Sequence, residues 1–391
     1  MTAYLKRKGY EGVAVTVPVT VAYERYSTHG AHWFLGQVVR ALVQQSGLAK
    51  EQIDGLTVSS FSLAPDTAVG VTQHLGLSPR WLDHIPTGGA SGVMALRRAA
   101  RAVQAGDAEV VACVAADTNH VDSFRHTLGS FSNFSRDASY PYGAGGPNSM
   151  FAFITAHYMR TYGARREDFG RIAVAQRTNA LKNPNALFKK PLTLDEYMAA
   201  RPVSDPIHLF DCVMPCAGAE AFLVMSPERA RDLGLPHVLL RGAIERHNAF
   251  SSDPVMVCGG WAMDRDDLYA QAAVKPQDIA VLQTYDDYPV IAMMQFEDLG
   301  FCAKGEGAEF VRSHDLTHAG DFPQNTGGAQ LSCGQAGAAG GFIGMTETLR
   351  QLTGQAGERN VKDARYGMVG GFGMVTYDRC LCTGAVILEA A

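Results

Sequence analysis

Apolar and polar positions along this chain fall into blocks that read as helix, short connector and strand. Val38-Val39-Arg40-Ala41-Leu42-Val43 has helical spacing. It runs into a polar connector over 46–54 that carries Lys50, and then into the apolar run Gly55-Leu56-Thr57-Val58. The same order returns later in the chain. Asp267-Leu268-Tyr269-Ala270 reads as helix, 273–279 as a connector with Lys275, and Ala280-Val281-Leu282 as strand. A second pair agrees with the first. A β-rich run over 109–115 follows a helix predicted over 92–105, and another over 366–371 follows a helix predicted over 341–352. The shared order predicts an internally duplicated α/β fold with its halves, 1–245 and 246–391, meeting near residue 245.

Between the first-half strands and that boundary lies 119–230, which holds Pro141, Pro147, Pro184, Pro191, Pro202 and Pro206 and a helical piece over 150–162. This pattern predicts a long inserted loop region covering the mouth of an active site. Paired glycines, among them Gly88-Gly89, Gly340-Gly341 and Gly370-Gly371, predict tight turns or close approach of backbone to backbone or ligand.

Composition narrows the function classes. With 391 residues, 47% hydrophobic and 19% charged, the chain can bury the cores of two ordinary domains, as an enzyme does. The net charge of -5 and the lack of a basic stripe argue against a nucleic-acid partner. Lys6, Arg7 and Lys8 are not followed by a long apolar run, and no stretch reaches membrane-spanning length, so a cytoplasmic location is expected. The eight cysteines read as reduced, buried thiols. The Cys212/Cys216 and Cys380/Cys382 pairs lack the repeated spacing of a zinc site, so no metal is expected in this chain.

Seven short segments, taken in order, resemble the thiolase superfamily in its branch related to sterol-carrier-protein thiolases. They are Gly88-Gly89-Ala90-Ser91-Gly92, Asn183-Pro184-Asn185-Ala186, the 205–212 stretch Asp205-Pro206-Ile207-His208-Leu209-Phe210-Asp211-Cys212, Tyr285-Asp286-Asp287-Tyr288, Leu299-Gly300-Phe301-Cys302, Pro323-Gln324-Asn325-Thr326-Gly327-Gly328 and Gln351-Leu352-Thr353-Gly354. The resemblance implies a thiolase-like fold of two halves layered α-β-α-β-α, dimerising through the first half.

The departures from the family pattern carry the functional reading. In a thiolase, the residue that opens the Cys-Ala-Ser-Gly motif is the nucleophile, and here that position is Gly89, which cannot form an acyl-enzyme. The Gly-His-Pro histidine falls within Cys333-Gly334-Gln335, where there is no histidine. Tyr285 replaces the Asn or His that faces substrate, and the late cysteine falls near Met368. These changes resemble the steroid side-chain-cleaving, thiolase-like aldolases, which make a retro-aldol cut in a β-hydroxyacyl-CoA. The resemblance implies Tyr285 as acid/base and the amides of Gly89 and Gly370 as an oxyanion hole. The second acid/base is left open among Tyr377, His318 and Cys333. Asp286 and Asp287 are expected to structure their loop, because a negative charge beside Tyr285 raises its pKa. Ser91 reads as a helix-start residue.

Two other readings stay open: an acyltransferase with Cys333 as displaced nucleophile, and a non-catalytic subunit that binds acyl-CoA or lipid. Cys333 is otherwise a small buried thiol. A steroid, a diterpenoid and an aromatic side chain all remain possible as the acyl group. The resemblance implies a separately encoded zinc-ribbon/OB-fold partner on a homodimer core, with zinc only in that partner.

Overall fold

The computed structural model of the chain describes residues 9–119, 140–144, 146–376 and 379–391. Among the described residues eleven strands are formed: β1 Ala14–Glu24, β2 Gly55–Ser59, β3 Trp81–His84, β4 Val110–Asp117, β5 Pro202–Ser204, β6 Ile207–His208, β7 Ala217–Met225, β8 His237–His247, β9 Ile279–Gln283, β10 Tyr366–Thr376 and β11 Arg379–Ala390. Nine of them pair in the order β3-β2-β4-β7-β1-β8-β11-β10-β9, and β5 and β6 form a separate hairpin. The order reads alike outward from the middle. β1, β7, β4 and β2 on one side correspond to β8, β11, β10 and β9 on the other. β2–β4 and β9–β10 are parallel, and β4–β7 and β10–β11 are antiparallel. The two sides join through the short β1–β8 pairing, Ala14↔Leu239 to Thr16↔His237.

The predicted repeat lies on equivalent elements. Helix Ala31–Ser46 leads through a 3-10 turn, Lys50–Gln52, into β2; helix Trp261–Ala272 leads through Pro276–Asp278 into β9. Helix Ser91–Ala105 precedes β4, and Ile343–Leu352 precedes β10. Helices Ser91–Ala105 and Ile343–Leu352 touch strands of both halves and form the middle layer. Ala31–Ser46 covers the outer face of the first half, and Trp261–Ala272 that of the second. The result is the expected thiolase-like α-β-α-β-α stack. Sequence follows from it. Ala31–Ser46 buries Phe34, Leu35, Val38, Val39 and Leu42 as one helical stripe. β4, covered on both faces, is buried along its whole length and shows no alternation.

Two boundaries differ from the expected ones. The inserted region does not extend to 230, because Ala217–Met225 is a strand paired on both edges, with β4 and β1. Its run Ala-Gly-Ala-Glu-Ala-Phe-Leu-Val-Met is buried throughout, so it lacks the period-two signature of a half-exposed strand. Residue 245 falls inside β8, and the pairing order begins the second half at His237. The described part of the insertion holds helices Gly146–Tyr162 and Arg166–Ala180 and the β5–β6 hairpin. Among the described residues, no helix is long and apolar enough to cross a membrane.

Candidate active site

A cavity of about 560 Å³ opens where the carboxyl ends of β4 and β9 meet the turn Gly88–Ala90 and the start of helix Gly146–Tyr162. This is where ligands meet the sheet in α/β folds. Aromatic side chains contribute to its wall: Phe61, Tyr140, Phe151, Tyr285, Tyr288 and Phe372 all line it. Phe151 stacks on Tyr288 with ring centroids 4.0 Å apart, and Tyr285 lies parallel to Phe372 at 6.0 Å. Polar atoms are few, which suits a pocket that takes a bulky apolar group and orients it by a few contacts.

Gly89 and Tyr285 come together here. A Cβ placed on Gly89 would stand 1.9 Å from Cε2 and Cζ of Tyr285 and 2.3 Å from its hydroxyl oxygen. The tyrosine ring therefore occupies the space that a side chain at position 89 would need. Tyr285 is held there by its backbone. Gln295 Oε1 accepts from Tyr285 N–H at 3.1 Å, and Gln295 Nε2 donates to the Tyr285 carbonyl at 2.8 Å. Gly370 does not line the cavity. Its missing side chain makes space for Gln295 instead, since a Cβ there would stand 2.1 Å from Oε1.

Gln335 and Asp287 complete the polar group. Gln335 Nε2 donates to Asp287 Oδ1 at 2.7 Å and reaches the Tyr285 oxygen at 3.5 Å. The Tyr285 hydroxyl is a second partner of the Asp287 carboxyl. Burial pushes the Tyr285 hydroxyl well above the ordinary tyrosine range, and the Asp287 charge adds to that. Burial likewise pushes the Asp287 carboxyl up to about 7, against the hydrogen bond from Tyr285, with repulsion from Asp286 in the same direction as burial.

The loop-structuring role expected of both carboxylates holds for Asp286 alone. Its two oxygens accept from the N–H groups of Gln330 and Leu331 at 3.0 and 3.1 Å. Asp287 faces the cavity and, among the described residues, meets Tyr285 and Gln335.

The remaining candidates lie elsewhere. Cys333 is buried outside the cavity and donates its thiol to the Gly327 carbonyl at 3.0 Å; burial pushes its pKa upward. His318 pairs with Asn179 Oδ1 through its backbone N–H at 2.8 Å and its ring at 3.1 Å, away from the cavity. Ser91 is buried and donates to the Ile85 carbonyl. Tyr377 lies outside the described residues. Asp117 lines the cavity with its oxygens already engaged by Ser60, Phe61, Ser62 and the Ala338 N–H. It ties the end of β4 to two loops of the wall. Among the described residues, no group of histidine, cysteine or acidic side chains could hold a metal ion.

Comparison with known proteins agrees with this architecture. The family model described as thiolase C-terminal domain-like matches residues 242–383. The chain is 33% identical over 335 residues to a steroid side-chain-cleaving aldolase of Thermomonospora curvata, covering 81% of this chain and 84% of that one. It is 30% identical over 337 residues to a 17-hydroxy-3-oxo-4-pregnene-20-carboxyl-CoA lyase of Mycobacterium tuberculosis, covering 81% and 85%. The solved structure of an Ltp2-ChsH2(DUF35) aldolase matches with a TM-score of 0.85 and 27% identity, over 98% of this chain and 99% of that one. With the thiolase layers in place and no side chain at position 89, the chain belongs to the thiolase superfamily, in the branch of its thiolase-like aldolases, and is a carbon–carbon lyase.

Proposed function

We propose that the chain makes a retro-aldol cut in a β-hydroxyacyl-CoA whose acyl group is steroid-sized, with Tyr285 as the acid/base and the Gly89 amide as a donor to the thioester oxygen. The observation that carries this reading is the Tyr285 ring in the space left free at Gly89. With no side chain at position 89 there is no nucleophile for an acyl-enzyme, and the Tyr285 hydroxyl oxygen lies 2.3 Å from where a Cβ would stand. The aromatic wall and a volume of about 560 Å³ suit a polycyclic side chain. The relatives named as acting on steroids support the same class.

In this reaction the proton leaves the Cβ hydroxyl, the Cα–Cβ bond breaks, and a ketone departs. The thioester enolate that remains is held by backbone N–H groups until Cα is protonated. The chemistry requires no cofactor from this chain. The solved neighbour combines its aldolase with a DUF35 protein, which supports a partner of the zinc-ribbon/OB type here as well.

The test uses 17-hydroxy-3-oxo-4-pregnene-20-carboxyl-CoA, whose cleavage between carbons 17 and 20 yields a 17-ketosteroid and propionyl-CoA. The chain is assayed alone and with a DUF35-type partner. Tyr285→Phe removes one oxygen and keeps the ring, so packing is preserved. Loss of a positioned acid/base lowers the rate by about 10²–10⁴-fold. A Phe variant that releases propionyl-CoA as fast as wild type would leave Tyr285 a packing residue and sink the mechanism.

A further inference from the structure

We infer that Asp287 is the proton carrier of this site: it takes the substrate's hydroxyl proton through the Tyr285 oxygen and returns it to Cα of the enolate. The inference rests on the lyase reading above and supplies the second acid/base that the sequence left open.

Geometry makes the case. Asp287 faces the cavity beside Tyr285, and Gln335 Nε2 bridges its carboxylate to the Tyr285 oxygen, at 2.7 and 3.5 Å. Its neighbour Asp286 is anchored by two backbone amides, whereas the partners of Asp287 among the described residues are the side chains of Tyr285 and Gln335. Nothing fixes its charge. No lysine, arginine or histidine is among the described residues that line the cavity. The titratable groups that face it are Tyr285, Asp286 and Tyr288 from its own segment and Cys380 from β11.

Three other groups of the wall are engaged or held protonated. Asp117 accepts from three backbone amides and two serine hydroxyls. Tyr288 donates to Asn148. The Cys212 thiol is pushed up to about 12 by burial and the nearby Asp211 charge. Tyr285 alone is a poor base, because its surroundings favour the protonated phenol. Asp287, raised to about 7, is divided between acid and base near neutrality, where a group that both accepts and returns a proton works best.

The proton count closes without a co-reactant. As the Cβ–OH proton moves to the Tyr285 oxygen, the Tyr285 proton moves to the Asp287 carboxylate. The O–H electron pair becomes the second bond of the ketone, and the Cα–Cβ pair passes into the thioester as its enolate. After the ketone leaves, Asp287 reprotonates Tyr285 as Tyr285 protonates Cα, and both residues end as they began.

The test compares wild type, Asp287→Asn and Asp287→Glu, each purified with whatever partner accompanies the chain in its own cells. Two reactions are followed: cleavage of the pregnene-carboxyl-CoA from pH 5.5 to 9, and exchange of the Cα hydrogens of propionyl-CoA with D₂O. Asparagine keeps the acceptor for Gln335 but carries no proton. We expect both reactions to fall about 10²–10⁴-fold in Asp287→Asn. The wild-type rise of kcat/KM through about pH 7 should disappear from its residual activity. Glutamate should restore part of both rates with the rise moved along the pH axis. If Asp287→Asn cleaves and exchanges within threefold of wild type with the rise intact, the inference is overturned while the lyase reading stands. If wild type does neither reaction, the lyase reading falls and takes this inference with it.

Discussion

In the first half of the molecule, the turn before the central helix brings only backbone to the cavity at Gly88 and Gly89, and β4 brings an Asp117 whose oxygens are already occupied. In the second half, the loop after β9 brings Tyr285 and Asp287, and the segment after Ala329–Cys333 brings Gln335. The frames are equivalent, yet one half supplies space and fixed donors while the other supplies the movable proton. A side chain deleted from one half leaves a hole that a ring from the other fills. Neither change is intelligible alone, because packed interiors leave no vacancy of that size unoccupied.

The sharpest way to break this complementarity is to restore a side chain at position 89. Gly89→Cys places a Cβ 1.9 Å from the Tyr285 ring, and the ring must leave its seat against Phe372. Cleavage should fall at least as far as in Tyr285→Phe, by about 10²–10⁴-fold. Thiolysis of a ketoacyl-CoA should not appear, because the thiol would lack its activating histidine and second cysteine, and such groups act as a unit. Gly89→Ala should fail equally, because the clash belongs to Cβ. Thiolase activity in the cysteine variant, or full cleavage in the alanine variant, would show that the ring and position 89 do not share one space.

Stability against pH sharpens the contrast from the other side. Asp287 has a folded pKa raised from the ordinary carboxylate value to about 7. Between about pH 4 and 7 the folded chain therefore holds a proton that the unfolded chain has lost, and stability falls as pH rises through that window. Asparagine cannot ionise and escapes the penalty. At about 1.4 kcal/mol per pKa unit, Asp287→Asn should gain on the order of 2–4 kcal/mol over wild type between pH 4 and 8. Denaturant midpoints at the two pH values measure it. Parallel curves would mean that Asp287 ionises as freely as in the unfolded chain.

The duplication was legible because helix, connector and strand recur with the same residue types at Lys50 and Lys275, and the strands they feed, β2 and β9, hold equivalent places. Tyr285 and Gly89 were legible as departures from a motif. That their atoms compete for one volume was not, since the two positions are 196 residues apart and meet only across the middle layer. Gln335 showed in sequence only as a missing histidine; its amide contacts depend on the anchoring of its backbone to Met214 and Cys216. β7 was hidden for a different reason. A strand covered on both faces loses its alternation, and proline-rich loop precedes it.

The smallest expected effect asks whether the two halves are equivalent away from the site. Helix Ala31–Ser46 ends on Gly47 at φ 68°, whose N–H donates to the Val43 carbonyl. Helix Trp261–Ala272 ends at the same point of the repeat on Ala273 at φ 55°, whose N–H meets the carbonyls of Tyr269 and Ala270. Both residues are exposed, so the alanine methyl contributes little packing. An L-residue in the left-handed region costs about 1–2 kcal/mol. Glycine removes that cost but adds about 0.4–1 kcal/mol of freedom to the unfolded chain. Ala273→Gly should therefore stabilise by about 0.5–1 kcal/mol, and Gly47→Ala should destabilise by a similar amount. Urea midpoints for the two variants should move in opposite directions by comparable steps, with cleavage unchanged in both. If both move the same way, the caps are not equivalent, and the kinship of the halves is confined to the sheet and the middle layer.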